Sequence, residues 1–208
     1  DSPIPSNIIR YQKLSMATDN ISRQDLLQKL QNDLQKNGWK KNANGFLEKT
    51  TTKNRKKTTT LLEFSISTGN TPELTKSALL IKENLETLGM KVDVKTFEVG
   101  DLNQSVIRPR KYDVLLFGQI INQESDLFAF WHSTQRKDPG LNVAMYTNAK
   151  VDKILEDALV IINDQERTKK YIQFEEEIAK DMGAVFLFSP DFIYVVSKNL
   201  KEPEIDYL

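Results

Sequence analysis

The chain has 208 residues and carries 29 Lys+Arg against 29 Asp+Glu, so its net charge is zero and gives no pull toward nucleic acid. It has no cysteine, which excludes disulfides, thiolate zinc sites and a cysteine nucleophile. No apolar run reaches the ~18 residues that span a bilayer, no signal peptide opens the chain, and the length suits one α/β domain or one large lobe.

Residues 1–20 lack periodicity, include Pro3 and Pro5, and read as a linker or hinge-proximal segment. Ser22 is placed to cap a helix, with Asp25 at the capping-box position. Leu26, Leu27, Leu30 and Leu34 recur at helical spacing, and Gly38 stops the helix. Trp39 reads as a core anchor because of its large apolar area. Gly45 to Thr68 reads as a hairpin, with β-forming runs at Phe46–Thr51 and Thr59–Thr68. Its tip, Lys53-Asn-Arg-Lys-Lys57, reads as a solvated turn, with an anionic partner as the sharper alternative.

A βαβ pattern follows, with Leu61–Ile66 as its first strand. Thr71 caps a helix, Pro72 occupies its first turn, and Glu73 suits the positive end of the helix dipole. Leu74, Ala78, Ile81, Leu85 and Leu88 form its buried stripe, and Gly89 ends it. Val92 and Val94 alternate in the next strand, and a short helix is expected over Leu102–Ile107. Tyr112–Phe117 is a continuous apolar run, as for a central strand covered on both faces. Asn148 caps a helix containing Val151, Ile154, Leu155, Ala158 and Ile162. Asp164 caps another with Tyr171, Phe174 and Ile178 inside, Glu175, Glu176 and Glu177 on its solvated face, and Gly183 at its end. Ala184–Phe188 and Phe192–Val196 read as strands broken by Pro190.

The most informative stretch is Tyr112 to Ser133, where a strand runs into Gly118, then a polar turn, then the aromatic helix Asp126-Leu-Phe-Ala-Phe-Trp-His132. Open α/β sheets bind ligands just beyond the carboxyl ends of their strands, so this is the expected binding edge. Glu124 and Asp126 lie in its turn; Asp126 reads as a helix N-cap or, more sharply, as a carboxylate for a ligand ammonium. His132 is the single histidine, and without cysteine it has no soft partner for a metal site. Ser133 and His132 are neighbours pointing about 100° apart on a helix, which is no triad. A structural role is the simpler reading of His132, and a position facing a ligand cleft is the other. The stretch Gly69-Asn-Thr-Pro72 lacks the pattern of a phosphate loop.

These residues resemble the second, C-terminal lobe of family 5 extracellular solute-binding proteins of ABC importers, the oligopeptide/dipeptide group. The pieces are Leu34-Gln-Lys-Asn-Gly-Trp39, Asn44-Gly45-Phe-Leu-Glu-Lys49, Leu88-Gly89-Met90 with its strand to Val94, and Tyr112-Asp113 through Gly118. They continue in family order with Asp126 to Ser133, Asn142, Tyr146-Thr-Asn148, Val151-Asp152, Asp164 to Arg167, Tyr171, Glu177-Ile178, Asp181 and Ala184–Phe188. The ordered set, over about 170 residues, carries the resemblance.

The resemblance implies an α/β fold like the C-terminal lobe of type II periplasmic binding proteins: a mixed, mostly parallel sheet flanked by helices, with an added β-hairpin. Residues 21–200 are then one ligand-binding lobe and 201–208 a tail. It implies a clamp that closes on a peptide or other small solute, catalyses nothing, and holds no cofactor or metal. Its expected partners are a preceding N-terminal lobe, absent from this excised stretch, and an ABC permease; the expected form is a monomer outside the cytoplasm, anchored through the missing N-terminus. Gly118, Gln119 and Ile120 would pair with ligand backbone as an added strand, and Asn122, Glu124, Asp126, Trp131 and His132 would line the site. Two departures stand out: Gln119 replaces a frequent tryptophan, and Asn122 replaces the aspartate that meets a peptide ammonium. An amide cannot supply that charge-assisted bond, so Glu124 or Asp126 takes the role or the ligand presents no ammonium there. The rivals are a stand-alone interaction module using the basic hairpin tip, a receptor for a non-peptide solute, and an enzyme using His132 with Asp126.

Overall fold

The computed structural model describes residues 2–4, 21–190, 195 and 197. Helix α1, Arg23–Lys36, starts at Ser22, whose hydroxyl accepts the Asp25 N–H and donates to the Asp25 carboxylate. It ends at Asn37, and Gly38 turns the chain with a φ of +86° that disfavours a side chain. None of its residues is buried, so the expected stripe stays on the surface, with Leu26 44% and Leu30 38% exposed. Helical periodicity shows which face could be covered, and it says nothing of what covers it. Trp39 is likewise only partly buried, under the Lys49 ammonium.

Strands β1 (Lys40–Lys41), β2 (Leu47–Lys53) and β3 (Lys56–Leu61) form an antiparallel ribbon. Asn54 and Arg55 make its turn at φ of 52° and 63°, the two-residue geometry whose twist matches the strands. The turn is therefore shorter than the expected five-residue tip, and Lys53, Lys56 and Lys57 belong to the ladder. Strand β4 (Glu63–Gly69) leaves for a second sheet at Leu62, which donates to the Leu47 carbonyl and accepts from the Lys91 N–H.

In that sheet β4 lies between β5 (Lys91–Phe97) and β6 (Val114–Leu116), all parallel. Helix α2 (Pro72–Thr87) is the crossover between β4 and β5, and the expected stripe packs inward: Ala78 is buried with Ile66 and Val92, and Ile81 and Leu85 close around them. The expected central strand is corrected here. Among the described residues β6 is an edge strand of three residues, with Val114 41% exposed, and β4 takes the centre. A continuous apolar run marks burial on two faces, but cannot tell which strand has two neighbours. After β5, α3 (Val99–Asp101) runs into a π-helical turn, Leu102–Ile107, that buries Leu102 and Val106.

A second core lies among α4 (Asp126–Trp131), α5 (Ala149–Val160) and α6 (Asp164–Asp181). Leu127, Val151, Leu155, Phe174 and Ile178 are at most 1% exposed there, each contributing about 1.5–3 kcal/mol of burial. Ile4, from the expected linker, joins this core. Asn148 caps α5 through the Lys150 and Val151 N–H groups, as expected. The cap of α6 is Asn163, one residue before the expected Asp164, and α6 ends at Met182 in a left-handed conformation, before Gly183. Glu175 is buried at 3% exposure and is not part of a solvated face. Ala184–Phe188 forms no strand, and Phe192–Val196 lies outside the described residues except for Val195.

Candidate ligand-binding edge

The polar residues around β6 are braces. The Asp113 carboxylate accepts the N–H and hydroxyl of Ser65 at 2.9 and 2.8 Å, which holds its pKa below the ordinary carboxylate value. Tyr112 donates its hydroxyl to the Val143 carbonyl, and Thr68 donates to the Leu116 carbonyl. The ladder between β4 and β6 ends at Thr68↔Leu116. Gly118, Gln119 and Ile120 continue past it, exposed, with Ile120 at 80%. They lie at the carboxyl end of a parallel strand whose outer edge is unpaired among the described residues.

The polar turn follows. Asp126 is the first residue of α4, and Ser125 holds the N-cap position. The Asp126 carboxylate accepts the N–H groups of Asn122 and Gln123 at 2.9 and 3.2 Å, so it fastens the turn and does not cap the helix. Glu124 pairs with Arg167 at 2.8 Å. Arg167 also donates to the Ile161 carbonyl and to Asp164, so one guanidinium ties the turn to the α5–α6 connection. Its pKa is raised, chiefly by Glu124. An open cleft of about 510 Å³ lies between these elements, lined by Asn122, Glu124, Leu159, Ile161, Arg167 and Tyr171. Burial, with the Glu124 charge second, pushes the Tyr171 hydroxyl up to about 12.

Trp131 and His132 are in the interior, apart from this exposed edge. Trp131 is 3% exposed and packs against Tyr146, Phe174 and Phe186. His132 stacks on Phe128 with ring centroids 4.2 Å apart. Its Nδ1 accepts the Thr134 N–H, which leaves Nε2 to carry the proton and face Glu156 at 3.5 Å and Asp152 at 3.9 Å. His132 faces Asp152 and Glu156 while Asp126 binds the turn amides, so the His132–Asp126 pair of the rival enzyme reading is not seen among the described residues. Asp152 accepts both the N–H and the hydroxyl of Ser133, which removes that hydroxyl from any nucleophilic arrangement with His132. Among the described residues no group of three or more His, Asp or Glu could hold a metal ion, and no helix is long and apolar enough to cross a membrane.

Sequence reasoning missed Arg167 and Tyr171 as walls of the cleft. They lie some forty residues beyond the turn, and only the packing of α6 beside it brings them there. The one available signal was the helix-start run Asp164-Gln-Glu-Arg167, which reads locally as a cap and gives no direction.

No protein-family model matches the chain. It is 28% identical over 167 residues to the oligopeptide-binding protein AppA of Bacillus subtilis, covering 79% of this chain and 29% of AppA. The structure of that protein in complex with a nonapeptide superposes with a TM-score of 0.70 at 26% identity, over 88% of this chain and 34% of AppA. The probable D,D-dipeptide-binding periplasmic protein DdpA of Escherichia coli is 26% identical over 135 residues, 64% of this chain and 26% of DdpA. NikZ of Campylobacter jejuni in complex with Ni(L-His) matches with a TM-score of 0.61 and 26% identity over 76% of this chain and 30% of NikZ. The chain thus spans about a third of the length of the proteins it matches. Its fold is part of the type II periplasmic-binding-protein architecture, and its homologues are oligopeptide- and dipeptide-binding proteins of ABC transporters.

Proposed function

We propose that this chain forms one wall of a non-catalytic, extracytoplasmic solute receptor of the ABC-transporter type, and that its solute is a peptide. The observation that carries the reading is the open edge of β6 running into the exposed backbone of Gly118, Gln119 and Ile120. Extended peptide adds to such an edge through main-chain hydrogen bonds, which give affinity without reading side chains. The adjoining cleft under Asn122 and Glu124 offers room for one or two ligand side chains. Trp131 and His132 are buried at the end of α4 and take no direct part in this reading. The AppA complex with a nonapeptide supports a peptide, and the NikZ complex with a metal chelate is the observation that keeps a non-peptide solute as the second reading.

The test is a ¹H–¹⁵N NMR titration of the chain with a mixed-sequence hexapeptide library. A single wall supplies only part of the contacts, so millimolar affinity, about −4 kcal/mol, is expected. Shifts concentrated at Gly118–Asn122 and Glu124 support the reading. Shifts confined to other surfaces, or none up to saturation with peptide, overturn it.

A further inference from the structure

The ribbon β1–β3 is the most strongly charged surface of a chain whose net charge is zero. Residues 40–61 contain seven cations, Lys40, Lys41, Lys49, Lys53, Arg55, Lys56 and Lys57, and one carboxylate, Glu48, a net charge of +6. The remainder of the chain therefore carries −6. Residues paired across a ladder share a face, and the face alternates along each strand. The register places Lys41, Lys49, Lys53 and Lys56 on one face with Thr51, Thr58 and Thr60, and no carboxylate.

Two features argue that this charge is more than a solvated turn. Lys53 sits directly opposite Lys56, and like charges in that position destabilise a hairpin. None of the seven cations forms an ion pair among the described residues, although acidic residues are plentiful elsewhere on the chain. Residues 50–60 are exposed throughout, so the ribbon projects with both faces in water. Its root is fixed by the bond from the Leu47 N–H to the Gly89 carbonyl at 2.7 Å, and by buried Leu47. No ribbon residue lines the cleft at the strand-end turn, so a partner on the ribbon leaves that cleft open.

We propose that the ribbon is a docking surface for anionic phospholipid headgroups. Six of its seven cations are lysines, which act as point charges on phosphate without the planar fork that reads bases. Strands β2 and β3 hold no aromatic side chain, and the nearest, Trp39 and Phe46, are half-buried at the root, with the Trp39 ring under Lys49, so the projecting part of the ribbon offers no stack of rings for single-stranded nucleic acid. A row of lysines and threonines on one ribbon face suits an array of headgroups of no fixed geometry, and the attraction falls off within a Debye length.

The test is co-sedimentation of the chain with vesicles of phosphatidylcholine alone and of phosphatidylcholine with phosphatidylglycerol, at low and physiological salt. Binding is expected only to the anionic vesicles and should weaken as salt rises. The triple variant Lys53→Glu/Lys56→Glu/Lys57→Glu should bind at least about tenfold more weakly. A control with the same charge change elsewhere, Lys76→Glu/Lys111→Glu/Lys137→Glu, should bind like the parent. Circular dichroism of both variants confirms that the fold is kept. Equal sedimentation with both vesicle types, or equal losses in both variants, overturns the proposal. So does tighter binding to a DNA oligonucleotide than to the anionic vesicles, which would assign the ribbon to nucleic acid.

Discussion

Asn142 holds Tyr146 by both ends of its backbone: the Asn142 amide donates to the Tyr146 carbonyl at 3.0 Å, and its oxygen accepts the Tyr146 N–H at 3.1 Å. The same amide donates to the carbonyls of Trp131 and His132, and Asn142 is fully buried. One side chain therefore closes the loop between α4 and α5 and fixes the end of α4. Replacing it by alanine strands several buried carbonyls, at a cost of about 3 kcal/mol. Urea denaturation of Asn142→Ala should show that loss as a lower midpoint. A change below about 1 kcal/mol would mean that the loop re-pairs its carbonyls without the amide.

Asp113 gives the fold an acid-sensitive joint. Its carboxyl pKa is lowered in the folded chain, first by the Ser65 N–H and then by the Ser65 hydroxyl. A depressed folded pKa adds stability that is present above the unfolded value, near 3.9, and is lost as pH falls through the folded one. Asp181 is lowered in the same direction by hydrogen bonds from Tyr146 and Asn148. Unfolding free energy measured from about pH 5 to pH 2 should decline, and Asp113→Asn should flatten part of that decline while lowering stability at neutral pH. An unchanged acid slope in the variant would remove Asp113 from the account.

Tyr171 acts at the other end of the scale. Its hydroxyl is pushed up to about 12, burial being the larger cause and the Glu124 charge the next. A raised folded pKa adds stability that is complete below the ordinary value, near 10, and disappears as pH climbs through the folded value. Tyr171→Phe should therefore lose less stability than the parent between about pH 9 and pH 12. Guanidinium titrations across that window check it, and parallel curves for the two proteins count against it.

Gly89 joins the ribbon to the parallel sheet. It sits at a φ of +96°, and a Cβ there would lie 3.0 Å from the Gly45 carbonyl oxygen and 3.3 Å from Leu47. Strain and crowding together should cost Gly89→Ala about 1–3 kcal/mol. Hydrogen exchange at Leu47 and Leu62 should accelerate with it, because both amides pair at this junction. If stability falls and those amides stay protected, the glycine matters to α2 and β5 alone.

Much of this was legible in the sequence, for physical reasons that differ by element. Caps at Ser22 and Asn148 and the stripe around Ala78 are local, set by side chains within a turn of the backbone they serve. Edge and centre are not local: the apolar run at Tyr112–Phe117 looks the same whether β6 has one neighbour or two. The strand running into Gly118 and the polar turn after it, where we propose that the ligand binds, were legible. The use of the turn's carboxylates was not, because Asp126 binds the amides four and three residues before it, and Glu124 meets an arginine 43 residues away. Trp131 and His132 shared a sequence neighbourhood with that turn, yet α4 turns Trp131 inward and the extended residue that ends the helix buries His132.

These engaged carboxylates bear on which peptides the proposed edge would accept. Asp126 is held by the Asn122 and Gln123 amides, Glu124 pairs with Arg167, which it shares with Asp164, and Asn122 itself is an exposed neutral amide. A free α-ammonium arriving at the turn meets only carboxylates that already hold partners, Asp126 through two amides and Glu124 through a guanidinium it shares with Asp164. Asn122→Asp adds one at a solvent-facing position without disturbing the backbone bond that Asn122 donates to Asp126. A charge-assisted bond there should tighten binding of a free-amine hexapeptide by about tenfold and leave its N-acetylated counterpart unchanged or weaker. Paired NMR or calorimetric titrations of the two peptides against parent and variant separate the cases. Equal gains for both peptides would mean that position 122 does not face the ligand terminus, and no binding by either would count against the peptide reading itself.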